Sequence, residues 1–106
     1  MKAIEFVGTS REDLQDFPRD VRRAIGLELT RVQEGRMPLD FKPMPAIGQG
    51  VYEIRVRLQG AWRVLYVTKF EDAVWVLHAF QKKTQQTAKG DIELAQKRYK
   101  LLGGRQ

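Results

Sequence analysis

The chain has 106 residues, of which 42% are hydrophobic, and its composition suits one compact domain without a separate catalytic or binding domain. It has no cysteine and one histidine, which excludes a disulfide scaffold, an iron–sulfur cluster and a thiolate zinc site. A net charge of +6 favours a polyanionic partner, nucleic acid first and an acidic protein or anionic membrane surface next. We therefore predict a single domain over residues 1–106 that needs no metal or other cofactor.

The lengths of the apolar segments predict where the protein is located. The first residues contain no apolar core of the kind that signal peptides have, and no apolar run reaches the length of a membrane span. We therefore expect a cytoplasmic protein that does not bind a membrane.

The amino-terminal half predicts one strand followed by two helices. Alternation over residues 2–7 predicts the strand. Ser10 is placed as the N-cap of a short helix that ends near Phe17. A second, amphipathic helix runs from Pro18 to Gly35, because apolar residues recur at helical spacing at Val21, Ala24, Ile25, Leu29 and Val32. Its arginines are interpreted as a solvated face rather than a binding site: Arg19, Arg22, Arg23 and Arg31. Residues 37–50 hold three of the four prolines, which predicts an irregular connection that borders a site.

Three strands joined by short turns are predicted next, over residues 51–58, 61–70 and 73–80. The first alternates, so that Glu53, Arg55 and Arg57 share one face. In the second strand, Arg63 and Lys69 lie at odd positions and point to one face. Trp62, Val64 and Tyr66 lie at even positions and point to the other. The third is apolar at both parities except for His78, which is typical of a strand covered on both faces. Turns at residues 59–60 and 71–72 make the three strands an antiparallel meander.

A final helix is predicted after the polar residues 84–89. Asp91 is placed as its cap, and Lys97, Arg98 and Lys100 suit its carboxyl end. Residues 103–104, both glycine, are predicted to end it. The order β, α, α, β, β, β, α predicts an α+β domain with a small, twisted, mainly antiparallel sheet, two amino-terminal helices packed on one face and a carboxyl-terminal helix, with the helices covering one face of the sheet.

The polar face of the meander is the candidate site. If helices bury one face, Arg55, Arg57 and Arg63 lie on the other, where Lys82 and Lys83 reach them from a strand end. Guanidinium forks and lysine charges both pair with phosphate oxygens, so this face suits phosphodiesters. The alternative is a solvated sheet face whose charges prevent aggregation at an edge.

Two further titratable residues have alternative interpretations. Glu53 is interpreted as the partner that orients Arg55 or Arg63 rather than as a base. His78 is interpreted as a core imidazole hydrogen-bonded to backbone rather than as a catalytic group.

Four sequence motifs in the carboxyl-terminal half resemble the phage-derived, HigB-like branch of the RelE-type toxins. They are EIR at residues 53–55, RVLY at 63–66, LHAFQKKT at 77–84 and DIELA at 91–95. Their order and spacing resemble those of the family, while the amino-terminal half is similar to it only as a strand and two helices. Two departures are Thr87–Ala88, where relatives often have Thr-Pro, and Asp91, where glutamate is usual.

The resemblance implies the RelE-like fold and the toxin of a toxin–antitoxin pair. Such a toxin is a metal-independent mRNA endoribonuclease, often acting on the ribosome, and its antitoxin is commonly a helix-turn-helix protein. We expect Arg63 and Arg55 to stabilise charge, and Lys82 and Lys83 to position phosphate, with one lysine assisting proton transfer. Further RNA contacts are expected at Arg57, Tyr66, His78 and Lys69. The alternative is a non-catalytic basic module that binds RNA or an acidic protein through the same face.

Overall fold

The computed structural model describes residues 1–103, which form one five-stranded sheet with helices on both sides. The strands are β1 (Ala3–Phe6), β2 (Phe41–Pro43), β3 (Val51–Arg57), β4 (Ala61–Val67) and β5 (Ala73–Lys82), and their spatial order is β1-β5-β4-β3-β2. The helices are α1 (Ser10–Gln15), α2 (Arg19–Gln33) and α3 (Lys89–Lys100). β1 is parallel to β5 and every other pairing is antiparallel. The predicted α+β class is confirmed.

The amino-terminal helices cover one face of the sheet. The buried stripe of α2 consists of Val21, Ile25, Leu29 and Val32, at the spacing of one helix face. It packs on alternate residues of the central strands, among them Ile54, Val64, Val74 and Val76. Leu14 of α1 packs against the same cluster. The predicted amphipathic helix is therefore confirmed. It ends at Gln33, two residues before the predicted end at Gly35.

The carboxyl-terminal helix lies on the opposite face, which corrects the expectation that all helices share one face. Ala95 and Leu102 pack with Leu65, Leu77 and other residues of that side. The physical reason was visible in β5, which is apolar at both parities and therefore needs cover on both sides. Because α3 covers only part of this second face, the part formed by the arginines of β3 and β4 is not covered by a helix.

Several boundaries differ from the predictions. The connection at residues 37–50 contains β2, which pairs with β3 at the edge of the sheet. Ser10 is the first residue of α1 rather than its N-cap, and its hydroxyl donates to the carbonyl oxygen of Val76. Asp91 lies inside α3, which follows Ala88. The predicted helix stop includes Gly104, which lies outside the described residues.

No helix within residues 1–103 is long and apolar enough to cross a bilayer.

A bulge in β5 directs two successive side chains toward α3. Leu65 pairs with His78 and Tyr66 with Val76, which leaves Leu77 as the extra residue. The carbonyl oxygen of Leu77 accepts a hydrogen bond from Nη1 of the buried Arg98 at 2.9 Å. Arg98, predicted to be a helix-end charge, therefore ties α3 to the bulge.

Candidate functional site

The β3–β4 hairpin sets the position of the arginines. Three residues, Leu58, Gln59 and Gly60, connect the paired Arg57 and Ala61, one more than the predicted turn at residues 59–60, and Gln59 and Gly60 have positive φ values of 56° and 133°. This register places Arg55 directly opposite Arg63. Alternation along both strands then brings their side chains to the face that α2 does not cover.

An open cavity of about 420 Å³, here called the basic pocket, lies where these strands meet the end of β5. It is lined by four cationic side chains, Arg55, Arg57, Arg63 and Lys82. Residues 84–86 form another wall, in which the Thr84 hydroxyl donates to the carbonyl oxygen of Gln86. Four positive charges around one solvent-open pocket make a strong site for an anion.

A buried carboxylate holds the arginines in place. Glu53 is only 2% exposed. Its Oε1 lies 3.5 Å from Nε of Arg63 and 4.0 Å from Nε of Arg55, and its Oε2 accepts a hydrogen bond from the Thr87 hydroxyl at 3.2 Å. The predicted orienting partner thus contacts both arginines, and it also ties the segment before α3 to β3.

Arg63 forms the floor of the basic pocket. It is 1% exposed, and its Nη1 donates to the carbonyl oxygen of Trp62 at 3.0 Å. Burial lowers the pKa of Arg63, and the charge of Glu53 opposes this effect. Arginine has so high an ordinary pKa that the side chain stays cationic. Arg63 is therefore a fixed charge beneath Arg55, whose side chain is 27% exposed and reaches solvent.

The two adjacent lysines at the end of β5 separate. Lys82 lines the basic pocket, and burial, followed by the positive charge of Arg63, lowers its pKa. Lys83, which follows the end of β5, is not among the residues that line the basic pocket, and it borders a smaller neighbouring cavity together with Lys82 and Asp91. Only Lys82 therefore lies with the arginines in the basic pocket, and the role expected of Lys83 stays a prediction.

Two of the predicted RNA contacts, Tyr66 and Lys69, do not line the basic pocket. Tyr66 is 0% exposed in the cluster beneath α2, because its parity is opposite to that of Arg63. Lys69 donates to the Tyr99 hydroxyl at 2.8 Å. Burial corrects the expected RNA contact at Tyr66, whereas Lys69 is exposed outside the basic pocket and its expected contact stays a prediction.

The buried side chain of His78 contacts Asp91 of α3. Its Nε2 lies 2.7 Å from Oδ1 of Asp91, and its ring stacks on Phe80 at 4.8 Å between centroids. The partner is thus a side chain rather than the expected backbone group. The bulge explains this, since it places His78 on the face of the sheet that α3 covers rather than on the α2 face, to which Val74 and Val76 point.

Sequence reasoning missed the polar wall of the basic pocket. The sequence predicts Gln85 and Gln86 of this wall, and the adjacent Thr87, only as a polar connection before the last helix. Their one sequence signal was position, directly after a strand that carries Lys82. The hydrogen bond between Thr87 and Glu53 joins positions 34 residues apart, and no local pattern indicates it.

The fold and the basic pocket define a class, a small α+β domain compatible with a RelE-like fold that presents a cationic site at the end of antiparallel strands. A profile of the phage-derived Gp49-like protein family (DUF891) matches residues 12–100, and the chain belongs to this family. The family is part of the toxin–antitoxin-related RelE/HigB-like group. The match includes α2 and thus extends well beyond the carboxyl-terminal motifs. A search of curated proteins found no match.

Family membership makes the chain a toxin-like protein of the RelE superfamily. Because the group is defined by toxin–antitoxin pairs, the family also implies an antitoxin partner.

Proposed function

We propose that this chain is the toxin of a type II toxin–antitoxin system and acts as a metal-independent mRNA endoribonuclease at the basic pocket. The observation that carries the proposal is the convergence of Arg55, Arg57, Arg63 and Lys82 on one open pocket in a chain of the Gp49-like family. A phosphodiester is the anionic group that such a cluster of guanidinium and ammonium groups binds best.

The proposed reaction is attack of an RNA 2′-oxygen on the adjacent phosphorus. The 2′-hydroxyl loses its proton to water in the open pocket, the new 2′-O–P bond forms, and the bond from phosphorus to the 5′-oxygen breaks. The products are a 2′,3′-cyclic phosphate and a 5′-hydroxyl end. The protein must therefore stabilise an extra negative charge on the phosphate and protonate the leaving 5′-oxygen.

The arginines supply the charge stabilisation. Arg55 is partly exposed and contacts the phosphate oxygens, while Arg63 acts from the floor as a fixed charge. Since Glu53 and the Trp62 carbonyl already hold Arg63, no reorganisation of that side chain is needed as charge develops. Arg57, farther along β3, binds a neighbouring phosphate.

Lys82 is the proposed proton donor to the 5′-oxygen. Its lowered pKa makes it a stronger acid than an ordinary lysine, which brings it closer to the strength that proton transfer near neutral pH requires. It regains its proton from solvent through the open pocket. This assignment keeps the expected role in proton transfer for one of the two lysines, and selects Lys82 because Lys83 lies outside the pocket.

The proposed setting is the bacterial cytoplasm, with mRNA on the ribosome as substrate and a helix-turn-helix antitoxin as the inhibitor. The net charge of +6 supports a nucleic-acid substrate, and the family supports the antitoxin. Binding through phosphates predicts strong dependence on salt, with a slope of about 0.7 in log K against log salt for each phosphate of a single strand.

The test is inducible expression in a bacterial host with primer extension on abundant mRNAs. We expect growth arrest and new mRNA 5′ ends from the natural chain, and neither from Arg55→Ala or Lys82→Ala. Two controls remove the same charges from exposed helix positions, Arg22→Ala and Lys97→Ala, and these should cleave like the natural chain. Normal growth and intact mRNA, with folded protein confirmed by circular dichroism, would instead show a basic binding module without nuclease activity.

A further inference from the structure

A second cavity of about 260 Å³, here called the side pocket, continues from the basic pocket. The two share Arg55, Lys82 and residues 85–86 as lining. The side pocket extends from there between the β2 edge and α3, where it is lined by Lys42, Met44, Glu53, Thr87 and Ile92. A nucleotide with its phosphate at Arg55 and Lys82 therefore has a cavity beside it for its base.

The carboxylate of Glu53 lies in the wall of the side pocket with unused capacity as an acceptor. An ionised carboxylate can accept about four hydrogen bonds. Among residues 1–103, Glu53 accepts one side-chain hydrogen bond, from Thr87, and Nε of Arg63 and Nε of Arg55 face it without forming hydrogen bonds. A buried acceptor with free lone pairs beside a cavity suits a ligand that presents N–H donors.

We propose that the side pocket binds the nucleobase next to the phosphate held in the basic pocket, and that it selects guanine. This inference rests on the proposed function and adds a base preference to it. Guanine presents two adjacent N–H donors, N1–H and the N2 amino group, on its Watson–Crick edge, which single-stranded RNA leaves free for reading. Adenine, cytosine and uracil each have one donor group beside a ring or carbonyl acceptor on this edge, so a carboxylate that accepts one hydrogen bond from them also meets an acceptor, which is repulsive.

The remaining walls suit a flat ring. Met44 and Ile92 supply apolar atoms from two sides of the side pocket, and a thioether packs well against an aromatic ring. Lys42, across from Glu53 in the β2–β3 pairing, lies at the rim where the carbonyl oxygen O6 of guanine would emerge. The arrangement thus pairs a donor edge with a carboxylate and a carbonyl with an ammonium group.

The test measures binding rather than cleavage, so that it does not depend on catalysis. Titration of the purified full chain with 3′-GMP, 3′-AMP, 3′-CMP and 3′-UMP, followed by NMR, gives four dissociation constants. Hydrogen bonds to a charged acceptor are expected to make 3′-GMP bind about tenfold or more tightly than the other three. Glu53→Gln should abolish this ratio, and Glu93→Gln, the same change at an exposed position of α3, should preserve it.

The ratio between nucleotides is the readout because Glu53→Gln also disturbs the arginines, which weakens all four nucleotides together. If that variant does not fold, the Met44 methyl resonance of the natural chain gives the answer, since 3′-GMP should shift it and show contacts to the base. Equal affinities for the four nucleotides, or a Met44 signal unmoved by 3′-GMP, would overturn the inference. A guanine preference in a protein that cuts no RNA would sink the proposed nuclease and leave the side pocket standing.

Discussion

Replacement of Glu53 by leucine tests whether the buried carboxylate is needed to hold the basic pocket together. At an effective dielectric constant of about 20, a charge pair at the 3.5 Å between Glu53 and Arg63 is attracted by roughly 4.7 kcal/mol, and one at the 4.0 Å to Arg55 by about 4 kcal/mol. Desolvation offsets much of this, in agreement with the lowered pKa of Arg63, for which burial outweighs the carboxylate. The ion pair therefore contributes little net free energy to folding, but removal of one partner leaves the other charge buried and is costly.

We expect Glu53→Leu to lower the free energy of unfolding by about 3–5 kcal/mol, because Arg63 is left buried, charged and without its partner. A loss of 3 kcal/mol corresponds to roughly 12 to 24 °C in Tm for a domain of this size. The double variant Glu53→Leu/Arg63→Met removes both charges and should recover most of the stability. Urea unfolding followed by fluorescence and circular dichroism measures the free energy of unfolding of the natural chain and of both variants.

The control is Glu93→Leu on the exposed side of α3, which should change the free energy of unfolding by less than about 0.5 kcal/mol. A loss below about 1 kcal/mol for Glu53→Leu would refute the reasoning, and so would a double variant that is no more stable than the single one. Either result would mean that Glu53 does not hold Arg63 in the interior.

Two further predictions concern pH. Burial raises the pKa of Tyr66 and its hydroxyl has no hydrogen-bond partner within residues 1–103, so above about pH 10 the unfolded chain releases a proton that the folded chain keeps, and stability falls as pH rises. Tyr66→Phe should be equal to the natural chain or up to about 1 kcal/mol more stable at pH 8, with a larger advantage at pH 10.5 in urea unfolding; an equal or smaller advantage at high pH would contradict this. Because burial and Arg63 lower the pKa of Lys82, cleavage should decline with rising pH below the ordinary lysine range. Lys82→Arg keeps the charge but is a poor acid, so RNA affinity should stay within about threefold while cleavage falls by about 10²–10⁴; rates from pH 6 to 10 that match the natural chain would exclude Lys82 as the proton donor.

Strand alternation predicted the central part of the site. The pattern of β3 and β4 requires Arg55, Arg57 and Arg63 to share a face, and the short connection at residues 58–60, which includes the predicted turn at 59–60, fixes their register. Both features are local, since a period of two and a tight turn leave one arrangement of the hairpin. These three arginines are three of the four cations that line the basic pocket, and Lys82 of β5 is the fourth.

The features that the sequence did not predict depend on contacts between distant parts of the chain. The bulge at Leu77 has no local signal, and it decides that His78 faces Asp91. The face chosen by α3 follows from cover that β5 needs on both sides. Likewise, the tie between Glu53 and Thr87 exists only once α3 has packed.

Lys83 shows the limit of a motif. Two adjacent lysines count equally in a sequence resemblance, yet only Lys82, the last residue of β5, lines the basic pocket, while Lys83 borders only the smaller cavity beside it. Position in the structure therefore favours Lys82 over Lys83 for the role proposed at the basic pocket.

The most direct measurement of the central claim is the chemistry of the cut ends. A translation reaction with the purified chain and an mRNA that contains a single cleaved site would be analysed by mass spectrometry, beside the same mRNA with one 2′-deoxynucleotide at that site. Attack by the 2′-oxygen at the basic pocket requires a 2′,3′-cyclic phosphate and a 5′-hydroxyl from the first mRNA and no cut in the second. A 5′-phosphate end, or cleavage of the deoxy-substituted mRNA, would contradict the mechanism.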